Sequence, residues 1–321
     1  MSGLLVNKDF TFTYERGTTW GSAIDTSPIG IPTEDGIEFT VEPNARRFNR
    51  AYGYRGIHED NASQDMSGVV PTAQVSMRVN PQILRDLLGG ILQNSGSWPV
   101  SSDVYDMITR NYADLPRPKK GGNGYYYTIA RQSPDGTDEY ISSAIPSALK
   151  LSISPADNDG QLMGEWQFIG KDYHQTGSLI ATIAHSEVSG CYKWSNIDTV
   201  SFGDVNITTD FVSAEINVTQ NAKFAGEIPD GEVVFPQWDV NGTIKVLANT
   251  NTNTMKNKVL NRDAGQAEQL IIGFGTGSAP EKAGFFPCYF HGLNDPANAL
   301  SEWVGTICHV TWLDCMTLYP A

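Results

Sequence analysis

Apolar and polar residues alternate along much of this chain, and a period of two marks a strand with one buried face. "IEFTVE" (37–42), "AQVSMRV" (73–79), "YYYTIAR" (125–131), "ALKLSIS" (148–154), "GEWQFIG" (164–170), "AEINVT" (214–219) and "GTIKVLA" (242–248) all read this way. Near the start, Phe10, Phe12 and Tyr14 alternate with Thr11 and Thr13, and that strand runs into a Gly-, Thr-, Ser- and Pro-containing loop with one large aromatic, Trp20. "SPDG" (133–136) and "DNDG" (157–160) lie between alternating runs and predict hairpins. The period changes to 3.6 once. In "NPQILRDLLGGIL" Asn80 is placed to cap a helix and Pro81 to open it. Ile83, Leu84, Leu87, Leu88 and Ile91 then form an apolar stripe, which Gly89 and Gly90 weaken at its end. A second, weaker helix is expected over 253–260. The pattern predicts a mainly β fold flanked by a helix.

The strands at 37–42 and 73–79 are joined by about thirty residues, long for a connection in a compact domain. This segment carries Arg46, Arg47, Phe48, Arg50, Tyr52 and Tyr54, and arginine with aromatics is the composition of interface cores. It reads as an arm that docks on another subunit. The chain also carries a candidate repeat. "EFTVEPNAR" (38–46) aligns with "EINVTQNAK" (215–223), matching Glu38 to Glu215 and Val41 to Val218. Each copy leads into a long connection, an alternating strand and an Asn-led helix candidate, so a duplicated unit is expected.

The charge narrows the partners. Lys and Arg number 22 against 36 Asp and Glu, a formal net charge of −14, which disfavours broad binding to nucleic acid or anionic membranes. No apolar run reaches membrane-spanning length, and no signal peptide is visible. Cys191, Cys288, Cys308 and Cys315 form no CxxC pair and are expected as buried free thiols. Tests for chemistry fail on context. "GFGTGS" (273–278) lacks the third glycine and the following helix of a dinucleotide turn. "GEWQFIGK" (164–171) misses phosphate-loop spacing, "DNDG" lacks the ligands of a calcium loop, "HEDNA" (58–62) is not HExxH, and no GxSxG occurs. No catalytic residue, cofactor or metal is expected.

Four stretches together resemble the tail tube proteins, or major tail proteins, of long-tailed bacteriophages: "YERGTTWGSA" (14–23), "VSMRVNPQILRDLLGGIL" (75–92), "SALKLSISPADNDGQLMGEWQFIGKD" (147–172), and "VSAEINVTQNA" with "WDVNGTIKV" (212–222, 238–246). The resemblance implies a β-sandwich with a flanking helix, whose long strands pair with those of neighbours as a shared inner barrel. Stacked rings then form an acidic-lined conduit for DNA ejection in the virion tail, made in the host bacterial cytoplasm. It implies a first module over 1–195, with an insertion at about 93–124, and a second over 196–321, with an insertion at about 277–302. A true duplication closes a ring from three chains; otherwise six are needed. The implied partners are further copies of the chain, a tape measure protein inside the tube, and terminator and distal tail proteins at its ends. DNA passes without specific binding. Tyr14, Trp20, Arg46, Arg47, Phe48, Arg50, Tyr52 and Tyr54 are the expected inter-subunit contacts, with Ile83, Leu84, Leu87 and Leu88 as the helix core. The alternatives are a β-rich carbohydrate-binding or other virion surface protein, since Trp and Tyr stack on sugars, and an enzyme whose site is assembled from distant residues.

Overall fold

A computed structural model describes residues 10–17, 19–24, 26–33, 35–49, 62–80, 83–84, 87, 105–106, 126–134, 136–176, 190–219, 222–225, 232–234, 239–247, 253–254, 257, 268–274, 281–294, 302–308 and 317–319. They are mainly β, and every strand pairing is antiparallel. The strands are β1 (Thr11–Gly17), β2 (Ile29–Gly30), β3 (Ile37–Asn49), β4 (Ala62–Arg78), β5 (Tyr105–Asp106), β6 (Tyr126–Gln132), β7 (Asp138–Ile153), β8 (Met163–Ile169), β9 (Asp172–Thr176) and β10 (Ile197–Phe202). Then come β11 (Val205–Asn206), β12 (Phe211–Thr219), β13 (Lys223–Ala225), β14 (Glu232–Val234), β15 (Asp239–Leu247), β16 (Glu268–Phe274), β17 (Glu281–Asn294), β18 (Glu302–Cys308) and β19 (Thr317–Tyr319).

A central run of strands, β3-β4-β8-β7-β12-β15-β18-β17, carries the architecture. β7 and β17 each leave this sheet part-way. The first half of β7 pairs with β6 and β9, and β6 with β1. The first half of β17 pairs with β16 and β19, and β16 with β10. In β7 the change of sheet sits at Ser143, which adopts φ 50°, where the β6–β7 ladder shifts register. A bulge of this kind bends a strand and lets it serve two sheets. Phe12, Tyr14, Tyr127 and Ile129 meet Val75, Met77, Leu149, Trp166 and Phe168 in one buried core, which continues into Val200, Phe202, Ile216, Ile244 and Leu270. The alternation legible in the sequence is the alternation between this core and an uncovered face.

The turns behave as their residues dictate. Gly136, at φ 84°, closes "SPDG" with its N–H on the Ser133 carbonyl at 2.9 Å. In "DNDG", Asn158, Asp159 and Gly160 all take positive φ, and Gly160 N donates to the Asp157 carbonyl at 2.9 Å. Asn80 caps as expected. Its Oδ1 accepts from Ile83 N at 2.7 Å, and the helical residues Ile83, Leu84 and Leu87 are fully buried. Leu88 lies outside the described residues. In the second expected helix, Asn253, Thr254 and Asn257 are helical and exposed.

The pairing pattern occurs twice. The β6–β7 ladder slips between Tyr127 and Ile129, and the β16–β17 ladder slips between Glu268 and Leu270. The β7–β8 ladder slips between Pro146 and Ala148, and the β17–β18 ladder between Phe290 and Gly292. Superposing these bulges fixes the remaining correspondences through the ladders: Ile145 falls on Tyr289, Ile169 on Cys308, Thr72 on Asn241, and Glu38 on Glu215. The last is the match made by the sequence repeat. Even a short loop contact recurs, since Ile31 N donates to Phe12 O at 2.9 Å and Ile207 N to Val200 O at 2.8 Å.

Two expectations change. The long connection after residue 42 is not an irregular loop over its described part: β3 runs on to Asn49 and pairs with β4 from Ala62. Arg46, Arg47 and Phe48 are therefore strand residues, opposite Asp65, Gln64 and Ser63. A hairpin arm satisfies its own backbone groups and needs no apolar alternation, so no period of two marks it. The segment 277–302 is not a surface insertion either, because it contains β17, which belongs to two sheets. Its Pro287 and irregular apolar spacing hide the strand. Of 93–124, the described part is β5, which pairs with β19.

Candidate assembly interface

The two sets of strands are joined by β7 and β12, paired from Ile153↔Ala214 to Ala148↔Thr219. On the core side Leu149 lies opposite Val218 and Leu151 opposite Ile216, all buried. On the other side Lys150 Nζ meets Glu215 Oε2 at 3.2 Å, and Asn217 Nδ2 donates to Asn241 Oδ1 at 3.2 Å. A second contact reinforces this seam. Val233, from the β14 hairpin of the second set, is buried with Trp20, Tyr126 and Ile145 of the first. The Trp20 and Tyr126 rings lie 5.2 Å apart.

Trp20 is thus positioned by its own chain. The Glu15 carboxylate accepts from Thr26 N at 2.8 Å and Ser27 N at 3.0 Å, Ile24 N donates to Thr128 Oγ1 at 2.9 Å, and Gly21 N donates to Ser143 Oγ at 2.6 Å. These bonds order the loop from within the chain. Tyr14, 1% exposed, is a core residue rather than a surface contact, because both faces of β1 are covered at that point. Trp20 makes its contact between the two strand sets of one chain. Arg50, Tyr52 and Tyr54 lie outside the described residues. The sequence pattern marks neither Lys150 nor Val233, and marks Glu215 only as the repeat match of Glu38. Alternation places Lys150 and Glu215 on a polar face, but nothing in the sequence brings them together.

The ends of the central run differ from its middle. Among the described residues, β3 pairs only with β4, and β17 from Tyr289 onward pairs only with β18. Phe39 and Val41 are half-buried, whereas their counterparts Ile216 and Val218 are buried. Phe39 rests on Tyr173, at 6.1 Å and nearly perpendicular, and on the Arg131 guanidinium, 5.0 Å from its centroid. Glu139 pairs with Arg131 and accepts from Tyr173 Oη at 2.9 Å. Burial, and secondarily this bond, pushes the Tyr173 phenol up to about 12. Burial likewise raises the Cys191 thiol, which is free.

The uncovered face of the central sheet is polar. Thr40, Thr72, Gln74, Gln167, Asn217, Asn241 and Thr243 are exposed or half-buried on it. Glu38, Glu165 and Glu215 share it with Arg78, Lys150 and Lys245, and Lys150 lies directly opposite Glu165 and is bonded to Glu215, an opposite-charge pairing across strands.

A cleft of about 190 Å³ at the end of the seam is lined by Ser152, Asp157, Gln161, Glu215 and Lys245 among others. Its lining includes serine hydroxyls but no histidine to activate one. Trp20 and Trp166 are buried, which removes them as stacking platforms for a sugar, and Trp194 is half-buried against the core with its indole N–H donating to the Val212 carbonyl at 3.2 Å. Among the described residues no cluster of His, Cys, Asp and Glu could hold a metal ion.

No protein-family model and no curated protein sequence matches the chain.

Proposed function

We propose that this chain is a structural protein that self-assembles into stacked rings, the tube of a long-tailed bacteriophage tail. The β7–β12 seam carries the reading. Two equivalent strand sets are already joined edge to edge there, and among the described residues the outer strands of this run, β3 and the second half of β17, each pair on one side only, as a length of a larger sheet would. Open edges left unpaired are an aggregation hazard, and a closed barrel removes them.

Barrel geometry favours several chains. Eight strands close on a packed interior, whereas about 24 strands spaced by about 4.8 Å and tilted by about 40° give a backbone circle about 45–50 Å across. That leaves room for a hydrated duplex after side chains are subtracted, and three chains supply it. The uncovered face then lines the bore. Duplex DNA carries roughly one charge per 1.7 Å of axis, and a wall of hydroxyls, amides and internally paired charges gives phosphates little to adhere to. The β3–β4 and β13–β14 arms are the natural contacts between sets and between rings. Copies of the chain are its main partners. Electron microscopy of the purified full chain tests the reading: annular particles or hollow tubes are expected, and a monomer that stays compact at high concentration overturns it.

A further inference from the structure

The molecule contains its own pattern for the contact between chains. We infer that the second half of β17 in one copy pairs with β3 of the next copy in the register that β7 and β12 display inside the chain, a claim that rests on the ring assembly proposed above.

The argument uses only the internal correspondence. The matched bulges place β7 on β17, and the ladders that follow place β3 on β12. β7 pairs with β8 on one side and β12 on the other. β17 pairs with β18 on the equivalent side and, among the described residues, has no strand on the other from Tyr289 onward. β12 lies between β7 and β15, while β3 has β4 where β12 has β15 and, among the described residues, no strand where β12 has β7. The edge missing from one end of the chain is thus the edge present at the other. Antiparallel strands with the same residues facing the same sides can exchange backbone hydrogen bonds only in registers that keep the apolar rows aligned.

Transferring the internal pairs gives the register. Ala148↔Thr219, Leu149↔Val218 and Lys150↔Asn217 become Gly292 opposite Glu42, Leu293 opposite Val41 and Asn294 opposite Thr40 of the neighbouring copy. The core side of the seam then sets Leu293 opposite Val41, which the single chain leaves half-buried where its counterpart Val218 is buried. Thr40 is exposed, as a residue on the bore side must be.

The test is cross-linking of the full chain after replacement of Cys191, Cys288, Cys308 and Cys315 by Ser. Lys150→Cys with Asn217→Cys calibrates the reaction, because it links a known pair within one chain. Thr40→Cys with Asn294→Cys probes the inferred pair. Directly opposite Cβ atoms lie about 4.5–5.5 Å apart and diagonal neighbours about 7–8 Å, and a disulfide needs about 3.5–4.5 Å. On oxidation, Thr40→Cys with Asn294→Cys is expected to give covalent species of two and three chains at a yield near that of the calibrating pair. Glu38→Cys with Asn294→Cys, slipped by two residues, is expected to react far less. Rings by microscopy together with linking only at the slipped pair, or only within single chains, overturn the register and leave the ring. Absence of any annular particle overturns the ring and the seam with it. Should the cysteine-free chain fail to fold, amide exchange of the unmodified protein decides: assembly is expected to protect Thr40–Glu42 and Gly292–Asn294, and unchanged exchange there in assembled rings overturns the pairing.

Discussion

β3 and β12 are the same strand met twice, and their surroundings separate what the sequence specifies from what neighbours specify. Both begin a four-strand unit, both carry an apolar row facing the core, and both are paired by the following long strand. Among the described residues β12 is held on two sides and β3 on one. The apolar row of β12 is buried, whereas that of β3 is covered at Ile37 and half-covered at Phe39 and Val41. Around β3 an aromatic and charged group, with Arg131, Glu139 and Tyr173 against Phe39, fills the space. The aliphatic Ile272 occupies the position equivalent to Arg131 in the second set. An edge that must stay soluble before it is paired carries polar groups near its apolar row.

The largest effect should come from charging the two equivalent positions. Val218→Asp buries a carboxylate between β7 and β15 with no partner, and is expected to cost the isolated chain about 3–5 kcal/mol. Val41→Asp sits at the half-covered counterpart, where water still reaches, and should cost the isolated chain about 1 kcal/mol. Its effect should instead be on assembly, which it should block. Denaturant melts of both variants, with sedimentation of the second, check the contrast. Equal loss of chain stability would show that β3 is as enclosed as β12.

A smaller effect tests how tightly each strand is held. A Cβ built on Gly242 falls 2.2 Å from the Glu215 carbonyl oxygen, which is backbone and cannot swing aside. The equivalent residue in the first set is Ala73, whose methyl is accommodated and buried. β3 can shift outward to make that room, and β12, clamped by β7, cannot. Gly242→Ala should therefore destabilise by about 1–3 kcal/mol, and Ala73→Gly by less, as read by urea midpoints at unchanged slope.

The helices extend the comparison. Asn80→Ala removes the cap on a helix whose Ile83, Leu84 and Leu87 are buried, at a cost of about 1 kcal/mol. Substitutions at the exposed Asn253, Thr254 or Asn257 should stay within about 0.5 kcal/mol in thermal melts.

These contrasts also show which parts were legible beforehand. The cap at Asn80, the turns at "SPDG" and "DNDG", and the strands beginning near 37, 126, 163 and 214 follow from local chemistry, which acts over a few residues. The Glu38 to Glu215 match was legible because both copies keep one buried row. β17 was not: it serves two sheets across a bulge and breaks the period. Tyr14 and Trp20 read from the sequence as contacts between subunits, and their burial within the chain was not legible, since a sequence does not show that Ser143, Thr128 and Val233 close around that loop from far along the chain. Lys150 and Glu215 were invisible as a pair for the same reason.

That pair gives the smallest expected effect. Both side chains are more than a third exposed, at 37% and 43%, so water screens the 3.2 Å contact and a single substitution should cost no more than about 0.2–1 kcal/mol. Lys150→Ala removes one cation from between two carboxylates, Glu165 opposite it and Glu215 bonded to it. Glu215→Gln leaves Lys150 facing Glu165. If the contact stabilises the seam, the double variant should recover part of the summed loss in a mutant cycle, and the recovered part should shrink as salt is added. If the two losses add at every ionic strength, the β7–β12 seam is held by its backbone ladder and the Leu149–Val218 and Leu151–Ile216 rows alone. The inferred seam between chains, which has Asn294 in place of Lys150, would then keep the ladder and the Leu293–Val41 counterpart of Leu149–Val218, but β17 ends at Asn294, before the position equivalent to Leu151.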